Sequence, residues 1–302
     1  MAQLQANGLQ IEYDTFGHPG AEPVVLIMGL GTQMTAWTPE FCERLAQQGH
    51  YVIRFDNRDI GLSAKLDHLP VPGHLSFLAS LLFRRPVKAP YSLADMAGDT
   101  AGVLDALGIS AAHIVGASMG GMIGQLLAYH HPERVRSLTS LMSTSGKRGL
   151  PRARRDVTRQ AFMTRPPANN REALIQHLVK TRRMIASPGY PRSDEEWREI
   201  VVAALERSFY PPGFGRQLAA VIADRSRVSR LRKIRVPTLV IHGKDDPLVP
   251  VEHGMDTARH ISGARLEIIE GMGHDLPPPL DETLTSLIAD HARSALQRGD
   301  KP

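Results

Sequence analysis

A chain of 302 residues that is 42% hydrophobic and 22% charged has enough apolar side chains for a sizeable core, so a folded rather than a disordered protein is expected. Its formal net charge of +5 is concentrated in Arg148, Arg152, Arg154, Arg155, Arg159 and in Arg225 to Arg235, with no nucleic-acid-binding motif and no interleaved stacking aromatics; a solvated basic face is expected there, and no nucleic-acid partner. The single cysteine, Cys42, excludes an intrachain disulfide or a thiol-rich metal site and is expected to pack; with no secretory signal and no run approaching ~18 apolar residues, the expectation is a soluble cytoplasmic protein without membrane insertion.

Leu4 to Phe16 reads as two short strands around Asn7-Gly8, a pair that tolerates the positive φ angles of a tight hairpin, so an antiparallel edge is expected. Val24 to Met28 is a continuous apolar run, the pattern of a strand covered on both faces, and it ends in Gly29-Leu30-Gly31. Helical spacing over Pro39 to Gln48 stops at Gly49, and a second buried strand, Tyr51 to Phe55, leads into Asp56-Asn-Arg58-Asp-Ile-Gly61-Leu-Ser63. Residues 66–90 break the alternation with several prolines and the apolar run Leu75 to Phe83, followed by Arg84-Arg85. That run is too short to span a bilayer and is expected to pack over the core.

Regular alternation resumes at Ser92, read as an N-cap with Asp95 three residues on, and its helix ends at Gly108. The strand through Ile114-Val115 runs directly into Gly116-Ala-Ser118-Met119-Gly120, and a helical pattern follows to His131. A serine between glycines at a strand-to-helix corner is the pattern of a nucleophile elbow: the turn leaves no room for a Cβ at Gly116 or Gly120, and Ser118 is forced outward. A strand over Val135 to Met142 follows, then residues 146–231, helical in spacing, rich in arginine, broken by Pro166-Pro167, Pro188-Gly189 and Pro211-Pro212 and without a convincing strand. These are expected to form a helical cap between two parts of one core, residues 1–145 and 232–302. The second part brings a strand over Pro237 to Gly243, a helix near Val251 to Ile261, a strand over Leu266 to Glu270 and an amphipathic helix from Asp281 to about Leu296. The fold class expected is α/β: a mostly parallel, doubly wound sheet with an antiparallel N-terminal edge.

A serine hydroxyl is a weak nucleophile unless a base takes its proton and a carboxylate holds that base. Asp246, in the loop after the Pro237 strand, and His274, in Gly271-Met-Gly-His274 after the next strand, supply both types at strand carboxyl ends. Asp245 adjoins Asp246 but has the poorer spacing to Gly243 and Pro250, and His242, His253, His260 and His291 are expected to pack or face solvent. Two aimed N–H groups are needed to hold an oxyanion; those of Met119 and Leu30 are the candidates.

Five ordered motifs, Gly29-Leu30-Gly31, Asp56-x-Arg58-x-x-Gly61-x-Ser63, Gly116 to Gly120, Gly243-x-x-Asp246-x-x-x-Pro250 and Gly273-His274, resemble those of the α/β-hydrolase superfamily over essentially the whole chain. Within it the sequence is most similar to carboxylesterases of the aclacinomycin methylesterase type, closest in Val236 to Gly243 and Gly271 to Pro277. The common histidine before the oxyanion loop is replaced by Met28, as in that methylesterase type, which also carries an apolar residue there. The resemblance implies a carboxylic ester hydrolase without cofactor or metal, acting on small-molecule esters, with methyl or short-chain esters as candidates. Perhydrolase (non-haem haloperoxidase-like) or enol-lactonase chemistry on the same three residues, or a ligand-binding receptor on the same fold, are the alternatives. Met163, Met184, Phe209, Tyr210 and Phe214 are candidates for an apolar pocket, with packing as their more common use.

Overall fold

The computed structural model describes residues 1–73, 87–164 and 170–299. The Leu75 to Phe83 run with Arg84-Arg85, and the Pro166-Pro167 break, lie outside the described residues.

Eight strands form one sheet: β1 (Ala2–Ala6), β2 (Leu9–Phe16), β3 (Glu22–Ile27), β4 (His50–Phe55), β5 (Ala112–Ala117), β6 (Val135–Leu141), β7 (Thr238–Gly243) and β8 (Arg265–Ile269). Their spatial order is β1-β2-β4-β3-β5-β6-β7-β8, antiparallel from β1 to β4 and parallel from there on. The turn between β1 and β2 has Asn7 at φ 49 and Gly8 at φ 75, the two positive angles that a type I′ hairpin requires.

The unbroken apolar runs follow from burial on both faces. In β3, Val25 and Ile27 enter one core while Val24 and Leu26 enter the other. The first core is closed by α2 (Leu93–Ala106) and α3 (Met119–His130), through residues such as Leu93, Leu104, Ile123 and Leu126; the second by α1 (Pro39–Gln47) and α10 (Asp281–Gly299), through Phe41, Leu45, Leu284 and Ile288. Cys42 packs in the second core, where burial pushes its thiol up to about 12 and keeps it protonated. The Ser92–Asp95 capping box forms in both directions: the Ser92 hydroxyl accepts from the Asp95 N–H, and the Asp95 carboxylate from the Ser92 N–H.

Between β6 and β7 the described residues form helices: α4 (Arg155–Thr158), a π-turn over Arg159–Met163, α5 (Arg171–Ile185), α6 (Asp194–Arg207), α7 (Pro211–Ala223) and α8 (Val228–Leu231). The chain then adds α9 (Glu252–His260) between β7 and β8. One expectation for this region is corrected: the basic stretch Arg225 to Arg235 is not a uniformly solvated face. Arg227 is buried, with Nε donating to the Gln125 side chain and Nη2 to the Thr144 carbonyl, and it pairs with Asp224. Among the described residues no helix is long and apolar enough to cross a membrane.

Candidate active site

In an open parallel sheet a crevice forms at the carboxyl ends of two neighbouring strands whose connections lead in opposite directions. Here that place is β3–β5: the chain leaves β3 for β4 on one side and later enters β5 on the other. The loop after β3, carrying Leu30, and the turn after β5, carrying Ser118, therefore face each other.

Ser118 has φ 54 and ψ −116, outside the regions that L-residues ordinarily adopt. Two hydrogen bonds and the start of a helix hold it there. Its N–H donates to the Leu141 carbonyl at 2.9 Å, the Ser143 hydroxyl donates to its carbonyl at 2.7 Å, and α3 begins at the next residue. A Cβ on Gly116 would stand 2.2 Å from the Gly120 carbonyl oxygen, and one on Gly120 would stand 2.1 Å from that of Ile27, so the corner admits only glycine at both positions.

His274 lies between the other two candidates. Its Nε2 is 3.0 Å from the Ser118 hydroxyl and its Nδ1 is 2.6 Å from Asp246 Oδ2. A carboxylate accepts, so Nδ1 carries the hydrogen and the Nε2 lone pair faces the serine. Asp246 is itself fixed, with Oδ1 accepting from the N–H groups of Leu248 and Val249 at 2.9 and 2.8 Å. Asp245 faces elsewhere and accepts from the Gly271 N–H. His242 stands behind the acid, fully buried; its Nε2 donates to the Val249 carbonyl at 2.7 Å and lies 3.6 Å from Asp246 Oδ2, while burial lowers its basicity and favours the neutral ring. His253 spans the Thr144 hydroxyl and the Pro151 carbonyl, the His260 ring meets the Asp256 carbonyl, and His291 meets the Pro237 carbonyl.

Met119, the first residue of α3, has an N–H without an intrahelical acceptor by helix geometry. Across the crevice, a Cβ built on Gly29 would lie 3.1 Å from Ser118 Cβ, which puts the Leu30 loop in van der Waals reach of the serine. The arrangement therefore gathers Ser118, Asp246 and His274 with two backbone segments, those of Leu30 and Met119.

Ile185, Ser187, Arg207 and Arg216 lie outside the motifs and help to build this site. The His274 N–H donates to the Ile185 carbonyl at 2.7 Å, and the neighbouring Asp275 accepts from both the N–H and the hydroxyl of Ser187, so the end of α5 clamps the histidine loop. Burial raises the Asp275 carboxyl above its ordinary range, partly opposed by those Ser187 bonds. Asp56 accepts from the Met34 and Leu62 N–H groups and pairs with Arg207 of α6; Asp59 pairs with the buried Arg216 of α7. The Asp56 to Ser63 motif thus fixes loops and ties them to the helices after β6.

A family model described as the alpha/beta hydrolase fold matches residues 22–277. The chain belongs to the alpha/beta hydrolase fold family. Rhodomycin D methylesterase DauP of Streptomyces sp. (strain C5) is 33% identical over 298 residues, 92% of this chain and 93% of its own. Rhodomycin D methylesterase DnrP of Streptomyces peucetius is 32% identical over the same shares. Among solved structures, the meta-cleavage product hydrolase CumD from Pseudomonas fluorescens IP01 superposes with a TM-score of 0.76 at 20% identity, covering 98% of each chain, a likeness of fold. The chain is thus a hydrolase with methylesterases among its relatives.

Proposed function

We propose that this chain is a cofactor-free carboxylic ester hydrolase that works through an acyl-enzyme on Ser118, with methyl esters as its substrate class. The observation that carries the proposal is the Ser118–His274–Asp246 chain of contacts at 3.0 and 2.6 Å; the similarity to two methylesterases over 92% of the chain supports the substrate class.

In the acylation step Ser118 Oγ attacks the ester carbonyl as its proton passes to His274 Nε2, and Asp246 stabilises the imidazolium through Nδ1–H. The carbonyl oxygen gains the negative charge and is held by the Leu30 and Met119 N–H groups, the latter aided by the positive end of α3. Collapse breaks the acyl–oxygen bond, and His274 returns its proton to the departing alcohol. Water then enters, His274 takes its proton, and a second tetrahedral intermediate releases the acid and restores the Ser118 hydroxyl. Residues 1–145 and 232–302 supply these groups, and residues 146–231 form the lid over them, a division supported by the position of α4–α8 between β6 and β7. A cytoplasmic setting fits the single, reduced cysteine.

Wild type and Ser118→Ala are compared on aryl esters of increasing chain length, the methyl ester of a bulky acid and an enol lactone. Turnover in the variant falls by roughly 10³-fold or more, and the methyl ester is the best substrate of the wild type. Undiminished hydrolysis by Ser118→Ala contradicts the proposal, and a preference for the enol lactone reassigns the substrate.

A further inference from the structure

Met28 stands where a histidine commonly supports the oxyanion loop, and a thioether offers only a weak acceptor. The peptides that surround the Leu30 N–H are nevertheless held one by one. The Met28 carbonyl accepts from Asn57 Nδ2 at 2.9 Å. The Gly29 carbonyl, which shares a peptide plane with the Leu30 N–H, accepts from the Thr32 N–H at 3.3 Å. The next peptide presents its Gly31 N–H to Gln217 Oε1 at 2.9 Å. Thr32 is a near neighbour in the chain and Asn57 is 29 residues from Met28; Gln217 is 186 residues away, on α7.

Gln217 is fully buried and uses both ends of its amide, Oε1 on the Gly31 N–H and Nε2 on the Arg58 carbonyl at 2.8 Å. A flipped amide would set donor against donor and acceptor against acceptor, so its orientation is fixed. Phe214, one helical turn earlier, packs on the same glycine: a Cβ on Gly31 would lie 2.4 Å from Phe214 Cδ2, and Gly31 has φ 63. Helix α7 therefore seats on the oxyanion loop through two side chains on one face.

We propose that Gln217 is a positioning residue for the Leu30 N–H, so that the helical segment between β6 and β7 completes the oxyanion site as well as covering it. This rests on the serine-hydrolase reading above, and Gln217 acts through Gly31 without touching substrate. Loss of its carbonyl frees the Leu30–Gly31 peptide to rotate about the Leu30 Cα that it shares with the preceding peptide, whose Leu30 N–H then loses its pre-orientation. Substrate binding, set by the pocket walls, changes little.

The test is Gln217→Met, which keeps side-chain volume and removes both hydrogen bonds, with Gln217→Ser read in the same way should the first not fold. Active sites are counted by fluorophosphonate titration, so partly unfolded protein does not enter the rates. The expected result is a fall of about 10- to 100-fold in kcat per titrated site, with KM within about 3-fold, and a parallel loss of affinity for a boronic acid that mimics the tetrahedral intermediate. Gln217→Glu recovers most of kcat at acidic pH, where the protonated acid accepts from the Gly31 N–H and donates to the Arg58 carbonyl as the amide does. A lower melting temperature with unchanged kcat per titrated site overturns the proposal. Ser118→Ala run alongside separates two failures: if it hydrolyses as wild type does, the serine reading falls and the role of Gln217 with it, whereas an inactive Ser118→Ala beside a fully active Gln217→Met removes the role of Gln217 alone.

Discussion

His113 and His50 lie side by side at the amino ends of β5 and β4, their rings 6.1 Å apart and edge-on. Both are almost wholly buried. His113 Nδ1 meets the Ser137 hydroxyl at 2.8 Å, Nε2 is 3.8 Å from Glu22, and Arg136, His50 and His291 oppose a positive charge there. Burial, with those neighbours, lowers its pKa from 6.5 to about 3; burial lowers that of His50 as well. Below pH 6.5 the unfolded chain takes a proton that folded His113 does not, so its contribution to stability is full above that pH and is lost as the pH falls towards 3. Asp281 opposes this, because burial raises it to about 6 and its contribution is lost as the pH rises through that value. Comparison with His113→Asn cancels the Asp281 effect: between pH 6.5 and 4.5 urea unfolding of the wild type should show an excess acid slope of up to about 1.4 kcal/mol per pH unit over the variant. Equal slopes would mean that His113 takes up protons in the folded state. At this scale the sequence is legible where chemistry coincides with local geometry. Ser118, Asp246 and His274 each follow a strand within a few residues of a glycine, and each can be located without knowing its partners. Gln217, Asn57 and Ser187 cannot, because their role is defined only by a carbonyl or N–H far away in the chain.

Element by element, hydrophobic patterning decided most of the outcome. The apolar runs of β3, β5 and β7 and the Ser92 capping box are local signals, and their elements form where the pattern predicts, with ends shifted by a residue or two. The helices after β6 were legible as helices but not in the use of their faces. Packing was the expected use of Met163 and Phe209, yet both are more than half exposed, at 64% and 54%. Phe162, at the end of the π-turn, stacks on Phe214 with ring centroids 6.4 Å apart. Tyr210 instead binds Asp67 and Arg216. The Phe162–Phe214 pair lies against Gly31, two residues from the Gly29 that meets Ser118, and one ring is partly open to solvent, which makes it the apolar surface to test for contact with a broad acyl group. Phe214→Ala should raise KM for the methyl ester of a bulky aromatic acid by ~10-fold and leave that for a methyl ester of a two-carbon acid within ~2-fold. Equal changes for both esters in a chain-length series would place the acyl group away from this surface.

For the whole molecule, one sheet brings Ser118 and the Leu30 loop together at its β3–β5 switch point, and the helices between β6 and β7 are bound to it by buried charge. Arg216–Asp59, Arg207–Asp56 and the Arg227–Gln125 contact each join those helices, or the short loop between α7 and α8, to the core. Pairs so far from water are costly to break one partner at a time, which fixes the helices against the loop after β4 and against α3. The basic residues of this region therefore divide, some solvated and some internal, a distinction that charge counting along the chain does not carry. The central claim is that Ser118 becomes covalently acylated and that the acyl group leaves by hydrolysis. Rapid mixing of the wild-type protein with p-nitrophenyl butyrate, quenched in acid and followed by intact-mass and peptide analysis, measures this directly. One butyryl group per chain on the peptide containing Ser118, formed in a burst and lost as substrate is exhausted, is the predicted result; steady hydrolysis with no adduct on that peptide, and an undiminished rate in Ser118→Ala, would contradict it.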